Sequence, residues 1–455
     1  MDRNASSASE VERIARASRA AAIELSALDG GARNAALREL RASLLRSRAP
    51  IEAANREDRA RAVALVEEGS LSKPLAKRLD LEGDKLDILL ESIDGVMALP
   101  DPVGKVDYAT RLDDGLDLYR VSCPLGVVAV IYEARPEAGV QISSLTLKTA
   151  NAVILKGGRE AELTNAALVE AMREGIAAAG LPRDAIQQIS TREEVRALLE
   201  LDPWVDLIVP RGSNELVRSI QAGTRIPVLG HADGICSVYV DRAADASKAL
   251  AVVLDSKTQY PAVCNAAETL LIHREALPRI LPPLAVALDQ AGVELRADDE
   301  ARALLPRAKP VTAQDYRTEF LDLVLAVRTV GSVEEAVDHI NEHGSHHTDA
   351  IITEDDEAAE YFLLRVDSAC VMRNASTRFA DGFRFGLGAE VGISTQKTHA
   401  RGPVGVEGLL SYKYRLYGNG QGVAPYGPGK RSFLHRAIDA KGMPRPRASD
   451  AGKSR

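Results

Sequence analysis

One cysteine stands among residues that could support covalent chemistry. Cys264 lies in the segment YPAVCNAAETLL (260–271). A thiolate nucleophile needs electropositive surroundings, and the amino terminus of a helix provides them. Pro261 and the residues after it predict that a helix begins here, with Asn265 as a polar neighbour. Because free cysteines are also among the most buried residues, the residue type alone leaves open whether Cys264 is a nucleophile or part of a core.

Two loops that follow predicted strands have residue types suited to binding phosphate. They read ILKGGRE and IVPRGSNE. In an open parallel sheet, ligands bind at the carboxyl ends of strands, where glycines allow close backbone approach and Lys or Arg supplies charge. Two ordinary turns would fit the same spacing. The residues concerned are Lys156, Gly157, Arg159, Arg211, Gly212 and Ser213.

A competing pattern is HINEH (339–343), which has the H-x-x-E-H spacing found in zinc peptidases. The predicted helix around it, SVEEAVDHINEHG, is strongly charged and ends at Gly344, which is typical of a solvated face. We therefore expect no metal site, and a zinc hydrolase remains an alternative from a different class.

The composition excludes several classes of protein. The chain has 455 residues and a net charge of −8, which argues against a nucleic-acid or membrane-surface protein. Its four cysteines form no C-x-x-C pair, which indicates a reducing compartment. We find neither the apolar core of a secretory signal nor a run long enough to span a membrane. We therefore expect a cytoplasmic protein.

The order of predicted elements places the candidate residues in a layered α/β fold. Residues 8–99 have helical periodicity, and two alternating runs around Asp114 predict a β-hairpin at 108–123. From residue 127, short apolar runs alternate with helical segments, which predicts doubly wound parallel sheets. The tail from residue 423 is rich in Pro, Gly and charge, and its end is predicted to be disordered.

Taken together, these segments resemble the aldehyde dehydrogenase superfamily, and more closely its γ-glutamyl phosphate reductase branch. The matching segments occur in the expected order and span about residues 10–422. They are PLGVVAVIYEARP (124–136), VILKGG (153–158), VPRGSNELV (209–217), PVLGHADGICSVYVD (227–241), YPAVCNAAETLL (260–271), TEFLDLVLAV (318–327) and NASTRFADGFRFGLGAEVGISTQKTHARGPVG (374–405).

The resemblance implies two Rossmann-like parallel-sheet domains and a β-hairpin flap used for oligomerisation. Residues 1–107 and 124–241 would form the cofactor-binding domain, and 242–400 the catalytic domain with the cysteine nucleophile. The flap would combine 108–123 with 401–422, followed by the tail, 423–455.

The resemblance also implies a reaction. Cys264 would attack L-γ-glutamyl 5-phosphate, release phosphate and form a thioester, which NADPH reduces to glutamate 5-semialdehyde in the second step of proline biosynthesis. Arg159 stands where NAD-using relatives carry a ribose-binding Glu, so a cation there favours the 2′-phosphate of NADPH. Glu319 matches a glutamate near the nicotinamide ribose, with a surface acid at a helix start as the alternative.

Two departures from the superfamily concern the reaction centre. Hydrolytic members carry a glutamate base where this chain has GHADG (230–234), which fits a thioester consumed by hydride rather than by water. The usual oxyanion asparagine has no counterpart, which leaves Arg135, Asn265 and His231 as candidate ligands of oxyanion or substrate. Another thioester-forming dehydrogenase, acting on a free aldehyde or an acyl-CoA, remains an alternative.

The implied partners are a small-molecule substrate, a separate glutamate 5-kinase as a candidate supplier of the acyl phosphate, and further copies of the same chain.

Overall fold

The computed structural model describes residues 3–231 and 233–444. The first hundred residues form helices, as their periodicity predicts, and Asp29 caps the second of them by accepting a hydrogen bond from the Ala32 backbone N–H at 2.8 Å. These helices are α1 (Arg3–Ser26), α2 (Gly30–Arg46), α3 (Arg48–Glu67), α4 (Lys73–Arg78) and α5 (Lys85–Ala98).

The next part of the chain forms a four-stranded parallel sheet flanked by helices. The strands lie in the order β5-β4-β3-β6. A capping box begins the third flanking helix, α8: the Thr191 and Glu194 side chains each accept a hydrogen bond from the other residue's backbone N–H. The elements are β3 (Val127–Tyr132), α6 (Pro136–Lys148), β4 (Ala152–Lys156), α7 (Glu162–Ala178), β5 (Ile186–Gln188), α8 (Arg192–Leu198), β6 (Leu207–Arg211) and α9 (Asn214–Gly223).

The uninterrupted apolar run of β3 follows from burial on both faces of this sheet. Val128 and Val130 pack into a core with α2, α5, α6 and α7, whereas Val127 and Ala129 pack on the opposite side with α1 and α8. A strand whose alternate residues enter two different cores has no polar face. The doubly wound arrangement predicted from the sequence is confirmed.

A second parallel sheet has seven strands in the order β10-β9-β11-β8-β7-β12-β13. Its elements are β7 (Cys236–Val240), α10 (Ala246–Thr258), β8 (Ala267–His273), α11 (Leu277–Gln290), β9 (Glu294–Ala297), α12 (Asp299–Arg302), β10 (Lys309–Pro310), β11 (Val324–Val330), α13 (Val333–His343), β12 (Thr348–Ile352), α14 (Asp356–Arg365) and β13 (Cys370–Arg373).

The prediction that a helix begins at Pro261 is wrong. Residues 260–266 form turns, and the chain then enters β8, every residue of which is buried between β7 and β11. A short apolar run does not distinguish a buried strand from a helix by periodicity, because a central strand is apolar on both faces. Cys264 therefore precedes a strand, and no helix dipole acts on it from this segment.

The predicted hairpin forms the centre of an antiparallel sheet whose strand order is β16-β2-β1-β17. Two further short strands, β14 and β15, pair with each other. The elements are β1 (Val106–Asp113), β2 (Leu116–Pro124), β14 (Gly392–Ser394), β15 (Gly402–Val404), β16 (Leu410–Tyr417) and β17 (Arg436–Ala437).

The first part of the tail packs on this sheet. The β17 strand pairs with β1, and the Asp113 carboxylate accepts hydrogen bonds from Tyr426 Oη at 2.5 Å and Arg431 Nη2 at 2.6 Å. The disorder predicted for the end of the tail concerns residues that lie outside the described ones. Within the described ranges, no helix combines the length and apolarity that crossing a lipid bilayer requires.

Candidate active site

The Cys264 backbone is held by close packing from the loop before β7. A Cβ atom on Gly234 would lie 2.1 Å from the Cys264 carbonyl oxygen, so a residue with a side chain cannot pack here without moving the turn. The Cys236 thiol donates to the same oxygen, with a sulfur-to-oxygen distance of 3.2 Å. These contacts fix the backbone of a half-buried cysteine.

Two histidines converge on the Cys264 thiol from different parts of the chain. One ring nitrogen each of His231 and His347 and the Cys264 Sγ all lie within 4.8 Å of one another. The two rings meet edge to face, with 4.7 Å between their centroids. Burial lowers the pKa of both imidazoles, which favours their neutral forms. His231, a candidate from the sequence, therefore lies beside the thiol.

His347 was missed by the sequence analysis. It follows the charged helix α13 and directly precedes the buried strand β12. Its side chain is completely buried, its Nδ1 lies 2.9 Å from Thr348 Oγ1, and its Nε2 has no hydrogen-bond partner among the described residues. The apolar residues at 350–352 were the available signal that a buried strand lies directly after this histidine.

Arginines surround the same thiol. Burial lowers the pKa of the Arg135 guanidinium, and the charges of Arg211 and Arg78 act in the same direction, while the negative charge of Cys264 opposes them. The pKa of Arg378 is also lowered by burial and is likewise opposed by Cys264. Guanidinium groups remain protonated even so, and they bind oxyanions and phosphate. Arg135 was predicted at this position; Arg78 and Arg378 were not.

Asn265 connects the cysteine turn to the segment that precedes β14. Its Nδ2 donates to the Ala380 carbonyl oxygen at 2.8 Å, and its buried Oδ1 has no hydrogen-bond partner within the described part of the chain. One N–H of the amide therefore anchors the turn. Its role as an oxyanion ligand stays a prediction.

A buried ion pair closes the base of this turn. Lys257 Nζ, near the end of α10, lies 2.5 Å from Glu268 Oε2 in β8, and both side chains are fully buried. Burial raises the pKa of Glu268 to about 7 although Lys257 acts in the opposite direction, and burial lowers the pKa of Lys257. The pair ties the two elements that flank Cys264 to each other.

Glu319 lies in the loop before β11, half-buried, and not at the start of a helix. Its Oε2 accepts a hydrogen bond from Asn214 Nδ2 at 2.9 Å, and the same amide donates to Asp233. Burial raises its pKa, against opposing contributions from Asn214 and His231. The carboxylate therefore faces α9 and the loop that carries His231.

The predicted phosphate-binding residues lie together at the carboxyl edge of the first sheet. Ser213 caps α9 by accepting the Leu216 backbone N–H at 3.4 Å, and its own backbone N–H donates to Glu133 Oε2 at 2.9 Å. A Cβ on Gly157 would lie 2.0 Å from the Asn165 amide, and one on Gly212 would lie 2.5 Å from Glu133. A side chain at Gly157 would have to displace the buried Asn165 amide, whereas one at Gly212 would meet the mobile ends of Glu133 and Leu216.

This edge has the charge that a dinucleotide phosphate requires. Burial lowers the pKa of Lys156, and the cations Arg192 and Arg159 lower it further, against Glu160 and Glu133. Three cations that repel one another at a sheet edge are stabilised by an anion placed among them. Arg211 approaches Glu390 at 3.7 Å. The residues present therefore fit a phosphorylated cofactor.

The HINEH segment lies in α13 but is not the solvated face expected from its charge. His339 is buried against Tyr316, with ring centroids 4.9 Å apart, and Arg328 Nη1 lies 2.7 Å from its Nδ1. Burial, with Arg328 and His343 acting in the same direction, lowers the pKa of His339 to about 3. The Arg328 guanidinium occupies the Nδ1 of His339 directly, so that nitrogen is not free to bind a metal, which argues against zinc at this position.

The chain matches a known protein family over most of its length. A protein-family model described as the aldehyde dehydrogenase family matches residues 2–304, more than half of the chain. The chain therefore belongs to the aldehyde dehydrogenase family, as its motifs predicted.

Several of the relatives most similar in sequence belong to one branch of this family. The chain is 52% identical over 430 residues to γ-glutamyl phosphate reductase 1 of Synechocystis sp., covering 94% of this chain and 98% of the relative. It is 50% identical over 417 residues to a probable γ-glutamyl phosphate reductase of Schizosaccharomyces pombe, covering 90% and 92%. A crystal structure of γ-glutamyl phosphate reductase from Thermotoga maritima superposes with a TM-score of 0.88 at 36% identity, covering 90% of this chain and 99% of that one. Within its family, the chain groups with these reductases.

Proposed function

We propose that the protein reduces L-γ-glutamyl 5-phosphate to L-glutamate 5-semialdehyde and phosphate, using NADPH, in the second step of proline biosynthesis. The observation that carries the proposal is the Cys264 thiol, held in a rigid turn beside two neutral histidines and two guanidinium groups. The names of the relatives that match over nearly the whole chain support the choice of substrate.

The first half of the reaction uses the thiol and its neighbours. We assign Nδ1–H of His347 to Thr348 Oγ1, which leaves Nε2 as an acceptor for the thiol proton. The thiolate attacks the acyl carbon, the bond from that carbon to the phosphate oxygen breaks, and phosphate departs with both bonding electrons. Arg135 and Arg378 are suited to stabilise the charge on the carbonyl oxygen and on the leaving phosphate.

The second half consumes the thioester. NADPH, when bound, supplies the hydride that reduces the acyl carbon. The resulting thiohemiacetal oxyanion on Cys264 is stabilised by the same guanidinium groups. Its collapse breaks the carbon–sulfur bond, releases the aldehyde and returns the thiolate.

The carboxylates near the turn are engaged in ways that do not favour hydrolysis of the thioester. Glu319 accepts from Asn214, and Glu268 pairs with Lys257. GHADG (230–234) also contains no glutamate. Hydrolytic members of the family activate water with a glutamate, so a GHADG loop without glutamate and the pairing of Glu319 and Glu268 favour reduction of the thioester over its hydrolysis.

A direct test runs the reaction in reverse. Purified protein is given glutamate 5-semialdehyde, NADP⁺ and phosphate, and the absorbance of NADPH is followed. We expect phosphate-dependent NADPH formation that Cys264→Ala abolishes, because the nucleophile is lost. The matched control is Cys123→Ala in the flap strand β2, which should keep wild-type activity.

Three outcomes would contradict the proposal. Formation of NADPH without phosphate would indicate hydrolytic oxidation of a free aldehyde, and coenzyme A dependence would indicate an acyl-CoA reductase. Activity that survives Cys264→Ala but is lost with a chelator would favour the zinc hydrolase alternative.

Membership of the aldehyde dehydrogenase family supports a nicotinamide cofactor, and we infer that it is NADPH. Lys156, Gly157, Arg159, Arg211, Gly212, Ser213 and Glu319 would hold it. Arg159→Glu should raise the KM for NADP⁺ about tenfold and alter the KM for NAD⁺ less, since a carboxylate repels the 2′-phosphate. The control is Arg307→Glu, an exposed arginine paired with Asp289. An equal change with both cofactors would contradict this assignment.

We further propose a cytoplasmic homo-oligomer that receives its labile substrate from a separate glutamate 5-kinase. Four free cysteines support a reducing compartment, and the instability of an acyl phosphate in water supports a supplying enzyme.

A further inference from the structure

The three groups around the acyl site also have the identity and spacing of a metal site. The Cys264 Sγ and one nitrogen each of His231 and His347 lie within 4.8 Å of one another. Ligand atoms around a tetrahedral Zn²⁺, at about 2.0 Å for nitrogen and 2.3 Å for sulfur, are about 3.5 Å apart. Small side-chain rotations would therefore bring all three onto one ion.

Each imidazole has its Nδ1 in contact with a neighbouring polar group. His231 Nδ1 lies 2.8 Å from the Ile393 carbonyl oxygen, and His347 Nδ1 lies 2.9 Å from Thr348 Oγ1. Histidines that bind a metal use such a contact to fix their tautomer and leave the other nitrogen free.

An independent observation comes from His347. The side chain is fully buried, and its Nε2 has no hydrogen-bond partner within residues 3–231 and 233–444. Apart from the Cys264 thiol itself, no group among the described residues engages this nitrogen, so a metal that replaces the thiol proton could bind both groups.

The charges facing the cluster are mixed. Arg135, Arg211 and Arg378 oppose a cation, whereas Glu319 and Glu390 favour positive charge at His231. The thiolate itself neutralises one charge of the ion. This balance is suited to reversible binding of a thiophilic metal, and it makes binding compete with an anionic substrate.

We propose that His231, Cys264 and His347 form an inhibitory site for a thiophilic divalent cation, with Zn²⁺ as the probe. Binding displaces the thiol proton to solvent and forms a sulfur–zinc bond, which ties up the lone pair needed for attack on the acyl carbon. The inhibition rests on the proposed function of Cys264; the binding itself does not.

Binding is measured first without turnover, by competition between the protein and a chromogenic chelator for Zn²⁺. We expect one ion per chain, with affinity reduced at least about tenfold in Cys264→Ala and in His347→Gln. His343→Gln, in the other histidine cluster, should bind as the wild type does. Circular dichroism checks that each variant is folded. If His347→Gln does not fold, the Cys264→Ala variant still decides the test.

Cobalt provides a second readout. Co²⁺ should produce a thiolate-to-metal charge-transfer band in the wild type and in His343→Gln but not in Cys264→Ala. In the reverse assay, Zn²⁺ should inhibit, and EDTA should restore activity.

Undiminished binding to Cys264→Ala, or binding lost in His343→Gln, would overturn the inference. Phosphate-dependent activity that Zn²⁺ leaves unchanged would overturn it while the proposed function stands. Zinc binding at Cys264 in a protein without reductase activity would contradict the proposed function and leave the metal site standing.

Discussion

At the residue scale, the surroundings of Cys264 are built from side chains that the sequence keeps far apart. His231 precedes β7, His347 precedes β12, and Arg135 lies between β3 and α6. All three act on a thiol in the turn before β8. The chemistry therefore depends on how firmly that turn is held. The buried ion pair Lys257–Glu268 joins the elements on either side of the turn, and burying both charges is costly unless they stay paired.

Lys257→Met should destabilise the protein by about 3–5 kcal/mol at pH 8, because it leaves Glu268 as an uncompensated buried charge. In the folded protein the pKa of Glu268 is raised to about 7. The folded state therefore binds a proton at Glu268 more tightly than the unfolded state does, and ionisation of this carboxyl lowers stability. Without Lys257 that pKa rises further. The loss should therefore shrink as the pH falls towards 6, as measured by urea unfolding.

The matched control removes both charges. Lys257→Met/Glu268→Leu should be considerably more stable at pH 8 than Lys257→Met alone, since no unpaired charge remains buried. A Lys257→Met deficit that is the same at pH 6 and pH 8 would contradict this account.

At the element scale, the tail extends the antiparallel sheet. The β17 strand pairs with β1, and Asp113, which is almost fully buried, accepts hydrogen bonds from Tyr426 and Arg431. The hydrogen bond from Tyr426 holds the pKa of Asp113 below its usual range, so the carboxylate stays charged at neutral pH. One side chain thus anchors the described part of the tail.

Asp113→Asn should loosen the tail without unfolding the sheet, because the amide replaces a carboxylate that accepts from two donors. Trypsin should then cut after Lys430, Arg431 or Arg436 several-fold faster, as followed by mass spectrometry. The control is the neighbouring turn substitution Asp114→Asn. Equal cleavage rates in wild type and Asp113→Asn would show that another contact holds the tail.

At the scale of the whole molecule, the antiparallel sheet has one edge covered by β17 and the other formed by β16. Tyr412, Tyr414 and Leu416 alternate along β16 and are each more than half exposed in the single chain. Exposed apolar side chains on an unpaired edge favour association. They are the surface through which we expect further copies of the chain to bind.

Tyr414→Glu should lower the molar mass in solution, measured by analytical ultracentrifugation, because a carboxylate is costly to bury at an interface. Lys413→Glu reverses a charge on the alternate face of β16 and should leave the assembly intact. An unchanged mass in Tyr414→Glu would place the contact elsewhere.

Much of the architecture could be predicted from local pattern. The helices α1–α5, the β1–β2 hairpin and the alternation around β3 all follow from periodicity and turn residues. The exception was β8, where an apolar run with an acidic residue resembled a helix start. Glu268 is tolerated inside that strand because of Lys257 on α10, a contact that periodicity does not contain.

The sequence by itself determined the class of protein and predicted a nucleophile and phosphate-binding loops, because each of these depends on residues adjacent in the chain. Only the tertiary structure decided what surrounds the thiol. His347 and Arg378 approach Cys264 because β12, β8 and the segment before β14 meet in space. Burial then determines whether each of these groups is charged, and a neutral imidazole beside a thiol is a consequence of desolvation that no local spacing encodes.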